Sequence, residues 1–289
     1  MKNIIRTSLL ACILIWLAGF SIGAHAQQQS VKSVKVISWN IWNGFGSNPN
    51  KNCLDDFVHF IKKENPDVLG LVELCNYDHN KLAKLASRYG HPYVAILTGD
   101  SHPVAITSKK PLKEVFKQIK GYGHGMLHCH IDGIDYLVTH LTPGDESPIQ
   151  RQKRKQEADN LVNYIQENKL DSCVLLGDLN SVSPFDALVA DRDLGKYTCI
   201  STLMGASLHD ICYLFNSDVD RCTFPTQAKR FNQEPEIIRY PQQRLDYIFV
   251  TDALFPSCID GTIYRGEDVE LISDHGPIGI TMHILTNVK

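Results

Sequence analysis

The chain has no surplus of positive charge and no apolar run long enough to cross a bilayer. Its formal net charge is −3, whereas sequence-independent binding of nucleic acid depends on Lys and Arg side chains that neutralise phosphates. The overall charge therefore argues against nucleic acid as the substrate, although a local groove can be basic on an acidic protein. The apolar run Leu9–Phe20 is shorter than the roughly 20 residues that a membrane helix needs, so no stable membrane span is expected.

The sequence also lacks a linker, because no tract rich in Pro, Gly or Ser divides it. We therefore expect a single catalytic domain over residues 27–289. Residues 1–26 predict a signal peptide, since Lys2 and Arg6 precede the apolar run and Ala24-His25-Ala26 forms a small-x-small cleavage site. The protein is then exported, either secreted or periplasmic. A lipoprotein leader ending before Cys12 is less favoured, because most of the apolar segment would follow the cleavage point.

No Cys-x-x-Cys pair is present, which argues against a structural zinc site. Of the nine cysteines, Cys12 belongs to the predicted leader and eight remain. Because exported proteins meet oxidising conditions, we expect at least one disulfide. Cys129 and Cys173 lie inside apolar runs, however, and could serve as small buried hydrophobic residues.

Short apolar runs rich in β-branched residues recur along the chain, with turn signals between them. They predict strands at Val34–Trp39, Val68–Val72, Tyr93–Leu97, Val104–Thr107, Met126–Ile131, Tyr136–Thr139, Cys173–Leu176, Tyr247–Val250 and Ile278–Met282. Helices are predicted at Asp55–Glu64, Asn80–Tyr89 and Ile149–Asn168. Strands outnumber helices and often follow one another directly, which favours stacked sheets flanked by helices.

Several predicted strands end in a polar residue that could bind a cation or handle a proton. Asn40 and Glu73 each follow an apolar strand, and Asp178 and Asn180 follow another. Side chains two residues apart in an extended segment point the same way, so Asp178 and Asn180 can address one ligand. A single strand end of this kind is more often a helix cap or a turn residue. Several of them together favour metal-assisted phosphoester hydrolysis, which needs oxygen ligands and a positioned water.

Six motifs, in this order, resemble the signature of the endonuclease/exonuclease/phosphatase superfamily. They are Ser38-Trp39-Asn40, the strand that ends at Glu73, Thr139-His140-Leu141, Gly177-Asp178-Leu179-Asn180, Arg244-Leu245-Asp246-Tyr247 and Ser273-Asp274-His275. The resemblance extends from about Val34 to Met282. It implies a four-layered α/β/β/α sandwich, with two packed mixed sheets flanked by helices, and a divalent-metal-dependent hydrolase of phosphoester bonds.

The resemblance also implies a metal site and a group that handles water. Glu73 would be the principal ligand of Mg²⁺, with Mn²⁺ or Ca²⁺ as alternatives. Asn40 and Asp274 would lie close to the metal and the phosphate. Asp178 and Asn180 would orient or deprotonate the attacking water.

A carboxylate–histidine pair is implied as well. Asp246 would hold His275 in one tautomer, and His275 would contact the phosphoryl oxygens. We expect the strands Tyr247–Val250 and Ile278–Met282 to be neighbours in one sheet, so that both side chains emerge at the same rim.

Other residues are expected on the substrate side of the site. His140 matches a histidine that could act as the acid for the leaving oxygen, and Arg244 and His102 are candidates for substrate binding. For His102, a loop position in solvent is an equal alternative. A loop between Thr223 and Arg244 is a further candidate for substrate contact, although an ordinary surface loop is slightly favoured. That loop contains Lys229, Arg230, Phe231, Arg239 and Tyr240.

Three further histidines, His124, His128 and His130, suggest a metal cluster. The alternation of His128 and His130 along a strand fits a solvent-facing side equally well.

The substrate class remains open at this level. A nuclease is the first expectation, and a phospholipid head-group phosphodiesterase or a phosphomonoesterase of the same fold is the alternative. A non-catalytic binding protein that kept the fold is a third possibility, but it would have no need to retain the whole set of ligands. We expect the protein to be a monomer.

Overall fold

A computed structural model describes residues 29–144, 146–186, 194–217, 221–230 and 242–287. The predicted signal peptide lies outside these ranges, and so do residues 231–241 of the loop proposed for substrate contact. Residues Ser33–His283 form one compact unit, which contains every candidate site residue. Within the described ranges no helix is both long enough and apolar enough to cross a membrane.

The described ranges contain twelve strands in two sheets. The strands are β1 (Gln29–Asn40), β2 (Val68–Val72), β3 (Tyr93–Leu97), β4 (Val104–Ser108), β5 (Lys113–Gln118), β6 (Met126–Ile131), β7 (Ile134–His140), β8 (Cys173–Asp178), β9 (Leu208–Asp210), β10 (Asp246–Thr251), β11 (Cys258–Ile263) and β12 (Ile278–Asn287). The first sheet has the order β11-β12-β1-β2-β4-β3, and the second has the order β5-β6-β7-β8-β10-β9. Both sheets are mixed, because β1 and β2 are parallel, as are β7 and β8, while the other described pairs are antiparallel.

Seven α-helices accompany the two sheets within the described ranges. They are α1 (Cys53–Glu64), α2 (His79–Ser87), α3 (Pro148–Glu167), α4 (Thr198–Gly205), α5 (Ile211–Phe215), α6 (Gln227–Arg230) and α7 (Glu267–Glu270). The apolar faces of α1 and α2 pack in one core cluster with residues of β1 and β2. Those of α3 and α4 pack in a second cluster with residues of β7, β8 and β10. The predicted layer order, helices outside two packed mixed sheets, is confirmed.

The sequence of α1 shows why a helix forms there. Its apolar residues recur on one face and are buried, and acidic residues occupy the first turn while Lys62 and Lys63 occupy the last. This charge arrangement is favourable for the helix dipole. The helix ends at Asn65, whose left-handed backbone (φ +50°) is a conformation that asparagine tolerates well.

Alternation along the strands decides which side chains face the other sheet. In β1, Ile37 and Trp39 pack on the helix side, so Asn40 points to the opposite face. In β8, Leu175 packs on the helix side, so Asp178 points to the face between the sheets. The strand-end residues of both sheets therefore converge on one rim of the sandwich.

The two sheets approach each other closely where Gly70 of β2 meets Leu176 of β8. A Cβ atom at Gly70 would lie 2.5 Å from Leu176 Cδ1, which is well inside van der Waals contact. A side chain at this position would displace the Leu176 side chain from the contact between the sheets. The close approach lets residues from both sheets share one site.

Three strands were not predicted from the sequence. β5 is an edge strand with the charged sequence KEVFKQ and is almost fully exposed, so it lacks a buried apolar face. β9, at the other edge of the second sheet, has only three residues. β11 is an edge strand of the first sheet, and its side chains are mostly exposed or half-buried. Edge strands without a buried face give no clear hydrophobic alternation.

The disulfide expectation was wrong. All eight described cysteines are free thiols, and six of them are buried. Burial raises the pKa of Cys129 and of Cys199 to about 12. Cys129, Cys173 and Cys199 fill buried positions on two strands and a helix. They behave as small hydrophobic residues, as suggested from the sequence for Cys129 and Cys173.

Candidate active site

Three strands of the second sheet place His140, Asp178 and Asp246 in one row. β7 and β8 pair His140 opposite Asp178, and β8 and β10 pair Asp178 opposite Asp246. All three side chains are buried. Side chains that lie directly opposite one another on the same face are close enough to interact, and His140 Nε2 lies 3.6 Å from Asp178 Oδ2.

The backbone around Asp178 is shaped by Gly177 and Asn180. Gly177 has φ +142°, and a Cβ atom there would lie 1.9 Å from the carbonyl oxygen of Thr139. Only glycine fits this position. Asn180, with φ +47°, donates its backbone N–H to Asp178 Oδ1 at 2.9 Å and its side-chain amide to Leu141 O at 3.0 Å. Asn180 therefore fixes the orientation of the Asp178 carboxylate.

The first sheet contributes Asn40 and Glu73. Asn40 Nδ2 donates to Glu73 Oε1 and to Asp178 Oδ2, both at 3.0 Å, while its Oδ1 accepts the backbone N–H of Trp42 at 3.0 Å. Because the N–H of Trp42 can only donate, it sets the amide so that its nitrogen faces the two carboxylates. Asn40 therefore bridges Glu73 of one sheet to Asp178 of the other.

Glu73 adopts a strained backbone conformation, with φ +62°. A non-glycine residue in this region costs on the order of 1–3 kcal/mol and persists only where its surroundings hold it. Here the backbone N–H of Asn43 donates to Glu73 Oε2 at 2.9 Å, while Asn40 holds Oε1. The turn directs a half-buried carboxylate toward the row formed by the second sheet.

Asp246 and His275 form the predicted pair, but their strands are not neighbours. Nδ1 of His275 lies 2.8 Å from Oδ2 of Asp246. β10 belongs to the second sheet and β12 to the first, so the expectation of adjacent strands was wrong. The pair forms because both strand ends meet at the rim between the sheets.

The charge state of this pair follows from its surroundings. Burial alone would lower the pKa of His275, but the carboxylates of Asp246 and Asp178 outweigh it and raise that pKa to about 10. Burial also raises the pKa of Asp178, to about 7, with His275 opposing the shift and Asp246 adding to it. The arrangement favours an imidazolium at His275.

The loop that carries His275 is tied to β1. Trp39 Nε1 donates to the carbonyl oxygen of His275 at 2.8 Å, and Ser273 Oγ donates to the carbonyl oxygen of Asn40 at 2.7 Å. Asp274 is buried between them. The Ser-Trp-Asn and Ser-Asp-His motifs are thus joined by direct hydrogen bonds, and Trp39 holds the loop in place.

His140 has the opposite charge preference to His275. Its pKa is lowered well below the usual value, chiefly by burial and then by the neighbouring His124, His275 and His102. The neutral imidazole can donate a hydrogen bond at one ring nitrogen and accept one at the other. This property suits a group that donates a hydrogen bond beside the scissile bond.

The residues present fit a divalent cation. Carboxylates from Glu73, Asp178 and Asp246 reach the same rim, and ligand atoms of Asp178 and Asp246 lie within 4.8 Å of each other. Oδ1 of Asp246 is buried with no hydrogen-bond partner among the described residues, and a bound cation would satisfy such an acceptor. Oxygen ligands of this kind favour Mg²⁺ or Ca²⁺. Asn40, predicted close to the metal, holds the carboxylates through its amide nitrogen.

Arg244 lies in a buried network instead of facing the rim. Its Nη1 is 2.6 Å from Asp210 Oδ2, and its Nε donates to Asp186 Oδ2 at 2.7 Å. The guanidinium also lies over the ring of Tyr247, 4.6 Å from its centroid. This placement gives Arg244 a structural role. The role in substrate binding that we expected from the sequence motif does not fit this buried position.

His102 belongs to a cluster with Asp100, His124 and His140 that could not be predicted from the sequence. Its ring centroid lies 4.6 Å from that of His124 and 6.2 Å from that of His140, and His124 and His140 are 4.6 Å apart. Asp100 hydrogen-bonds to His124 Nδ1. No spacing rule brings these residues together, because Asp100 and His102 come from a loop before β4 and His124 precedes β6.

His128 and His130 do not join this group. Both contact Asp135 Oδ1, at 3.0 and 2.9 Å.

The facing strand ends of two packed mixed sheets bring carboxylates, an amide bridge and a charged histidine to one rim. This arrangement is suited to hydrolysis of a phosphoester. The sequence model of the Endonuclease/Exonuclease/phosphatase family matches residues 37–275, and the chain belongs to this family. The family expected from the motifs is confirmed, and membership supports hydrolysis of phosphoester bonds.

Solved structures share the fold. An AP endonuclease from Archaeoglobus fulgidus has a TM-score of 0.69 at 20% identity, covering 86% of this chain and 99% of its own. A 3′ phosphatase from Neisseria, named NExo and bound to a product DNA hairpin, has a TM-score of 0.68 at 20% identity, with 86% and 98% coverage. The 3′-5′ exonuclease NExo from Neisseria meningitidis has a TM-score of 0.64 at 19% identity, again with 86% and 98% coverage. No curated protein sequence matches the chain.

Proposed function

We propose that the protein is a divalent-metal-dependent phosphodiesterase that acts on nucleic acid. The observation that carries the proposal is the bridge from Asn40 to both Glu73 and Asp178, next to the Asp246–His275 pair. It joins metal-type ligands and a positively charged group at one rim. A non-catalytic binding protein would not need these groups to be held together so closely.

In this proposal the site residues have separate roles in the hydrolysis. Asp246 accepts the Nδ1–H of His275, which orients the ring and favours its charged form, so that Nε2–H can donate to a phosphoryl oxygen. Asp178, held by Asn40 and Asn180, accepts a proton from the attacking water, and its raised pKa suits a base that works near neutrality. A bound Mg²⁺, or Mn²⁺ or Ca²⁺, would be held chiefly by Glu73 and would stabilise the negative charge that develops on the phosphate. His140, expected from the sequence as the acid for the leaving oxygen, is kept neutral by burial and would instead stabilise that oxygen with a hydrogen bond.

A nucleic-acid substrate is supported by the relatives of this fold, which include an AP endonuclease and a 3′ phosphatase bound to DNA. The acidic net charge of −3 means that recognition would depend on local positive charge at the rim. Phospholipid head-group diesters and phosphomonoesters are the alternative substrates.

The test is an activity panel over double-stranded DNA, RNA, sphingomyelin, inositol phosphates and a generic diester, with Mg²⁺, Mn²⁺ or Ca²⁺. We expect cleavage of nucleic acid that requires an added cation. Glu73→Gln should remain folded but lose most metal binding, because a neutral amide of the same shape replaces a charged ligand. Glu167→Gln, at the exposed end of α3, is the matched control. Inertness on every substrate with every cation, or wild-type turnover of Glu73→Gln at limiting Mg²⁺, would overturn the proposal.

We also propose that the protein is exported through cleavage after Ala26 and acts as a monomer with one catalytic domain over residues 27–289. The charged, apolar and small-residue order of the leader supports export. N-terminal sequencing of the exported protein and its mass in solution test these points. A retained leader or a stable oligomer would contradict them.

A further inference from the structure

Asp100, His102 and His124 form a compact group beside the proposed catalytic rim. Asp100 and His102 lie in the loop between β3 and β4, and His124 precedes β6. One ligand atom from each of the three residues lies within 4.8 Å of the other two. None of the three takes part in the oxygen-rich site at Glu73 and Asp178.

We propose that His102 and His124 bind a second divalent cation, of the borderline class to which Zn²⁺ belongs, with Asp100 as the carboxylate that orients His124. Imidazole nitrogens suit such ions, whereas carboxylate and carbonyl oxygens suit Mg²⁺ and Ca²⁺. The two sites therefore differ in the metal that they select.

The hydrogen bonds of His124 leave one ring nitrogen available for a metal. Asp100 Oδ1 accepts from His124 Nδ1, which places the proton on Nδ1 and leaves the lone pair on Nε2. A carboxylate that orients a histidine in this way is the usual partner of a metal-binding imidazole. His124 Nε2 is buried and has no hydrogen-bond partner among the described residues. A buried polar atom in this state is costly unless a ligand satisfies it.

His102 also keeps one ring nitrogen for a metal. Nδ1 of His102 is 2.7 Å from Ser101 Oγ, so its Nε2 is the nitrogen that remains for a cation. The described hydrogen bonds of Asp100, from His102 N, Ser101 Oγ and His124 Nδ1, all end on Oδ1. Asp100 therefore acts through the Nδ1 side of His124, and the Nε2 atoms of the two histidines are the nitrogens left for the ion.

The spacing of the rings agrees with a shared ion. Two imidazoles bound to one tetrahedral Zn²⁺ through nitrogens at about 2.1 Å have ring centroids about 5 Å apart. The centroids of His102 and His124 are 4.6 Å apart. The ring of His140 lies at the same distance from His124, so the second cation would sit directly beside the catalytic row.

His128, His130 and Asp135 form a second group of two histidines and one aspartate, but its buried histidine keeps no nitrogen for a metal. His128 and His130 share Asp135, but both ring nitrogens of His128 are already hydrogen-bonded, to Tyr164 Oη at 2.9 Å and to Asp135 at 3.0 Å. This group provides the matched control, because His130→Ala removes a histidine that also contacts an aspartate.

The experiment measures binding of Co²⁺ and Zn²⁺ alone to the purified, chelator-treated protein, without substrate. Bound metal is counted by elemental analysis, and the Co²⁺ absorption bands report nitrogen ligands. We expect one Co²⁺ that Glu73→Gln and His130→Ala retain. His102→Ala and His124→Ala should weaken its binding by more than the roughly 10–100-fold that loss of an outer-shell partner costs. His102 is only half-buried, so His102→Ala keeps the test valid if His124→Ala fails to fold.

Two outcomes would overturn the proposal. One is Co²⁺ binding that is the same in wild type, His102→Ala and His124→Ala. The other is loss of all Co²⁺ binding in Glu73→Gln, which would place the ion in the catalytic site. Because metal binding is read without turnover, the result is independent of whether the proposed phosphodiesterase activity is found.

Discussion

Asp246 and His275 should act as one catalytic unit. The two side chains are buried and hydrogen-bonded at 2.8 Å. Asp246→Asn keeps the shape of the side chain but removes the charge that contributes most to raising the pKa of His275. Burial, which acts in the opposite direction, would then be opposed mainly by Asp178, so the pKa of His275 should fall.

The structure sets the size of the effect. With a pKa of about 10, His275 is almost wholly charged at pH 7, and its positive charge faces the rim without any rearrangement. Loss of one preorganised electrostatic contact of this kind costs about 10²–10³-fold in kcat, or roughly 3–4 kcal/mol. We expect losses of this order for Asp246→Asn and for His275→Ala. The double variant should lose little more than the worse single variant, because groups that act as a unit are not additive.

The assay is a double-mutant cycle of kcat on the substrate that the activity panel identifies, supported by NMR titration of His275. In wild type the imidazole should remain protonated through neutral pH, and in Asp246→Asn it should titrate at a lower pH. Strictly additive losses in kcat, or an unchanged titration of His275 in Asp246→Asn, would refute the role of Asp246 as the orienting partner.

Three further predictions concern the scaffold. Arg244→Ala should destabilise the protein by roughly 3–5 kcal/mol in urea unfolding, because it leaves Asp210 buried without its partner; a raised KM with unchanged stability would instead indicate a role in substrate binding. Gly177→Ala should prevent normal folding, since its Cβ would meet Thr139 O, and a near-native melting temperature would contradict this. Thiol titration of the exported protein under denaturing, non-reducing conditions should count eight free thiols, and a lower count would indicate a disulfide.

The strand-end residues could be predicted from the sequence because their signals are local. An apolar strand that ends in Asn40, Glu73 or Asp178 is visible in a few consecutive residues, and the alternation of the strand fixes the face. The order of the motifs then indicated the fold. These features required no knowledge of which strands pair.

Features that depend on distant contacts could not be predicted. The Asp246–His275 pair was expected from adjacent strands, but it spans two sheets, and sequence order does not reveal sheet membership. Arg244 belongs to a sequence motif, yet the direction in which its guanidinium points depends on Asp186 and Asp210, which come from elsewhere in the chain. The site for a second cation was missed for the same reason, because its ligands meet only in the folded protein.

Because the site is divided between two sheets, the rate of turnover reports whether both sheets are correctly assembled against each other. Asn40 and Glu73 come from one sheet and Asp178 and Asp246 from the other, so a chain with only one sheet formed carries half of the ligands and no bridge between them. A displacement of about 1 Å at a reacting group can cost about 10²-fold in rate. Substitution of Gly70 by a larger residue, which would displace Leu176 between the sheets, should therefore reduce activity at temperatures where the protein is still folded.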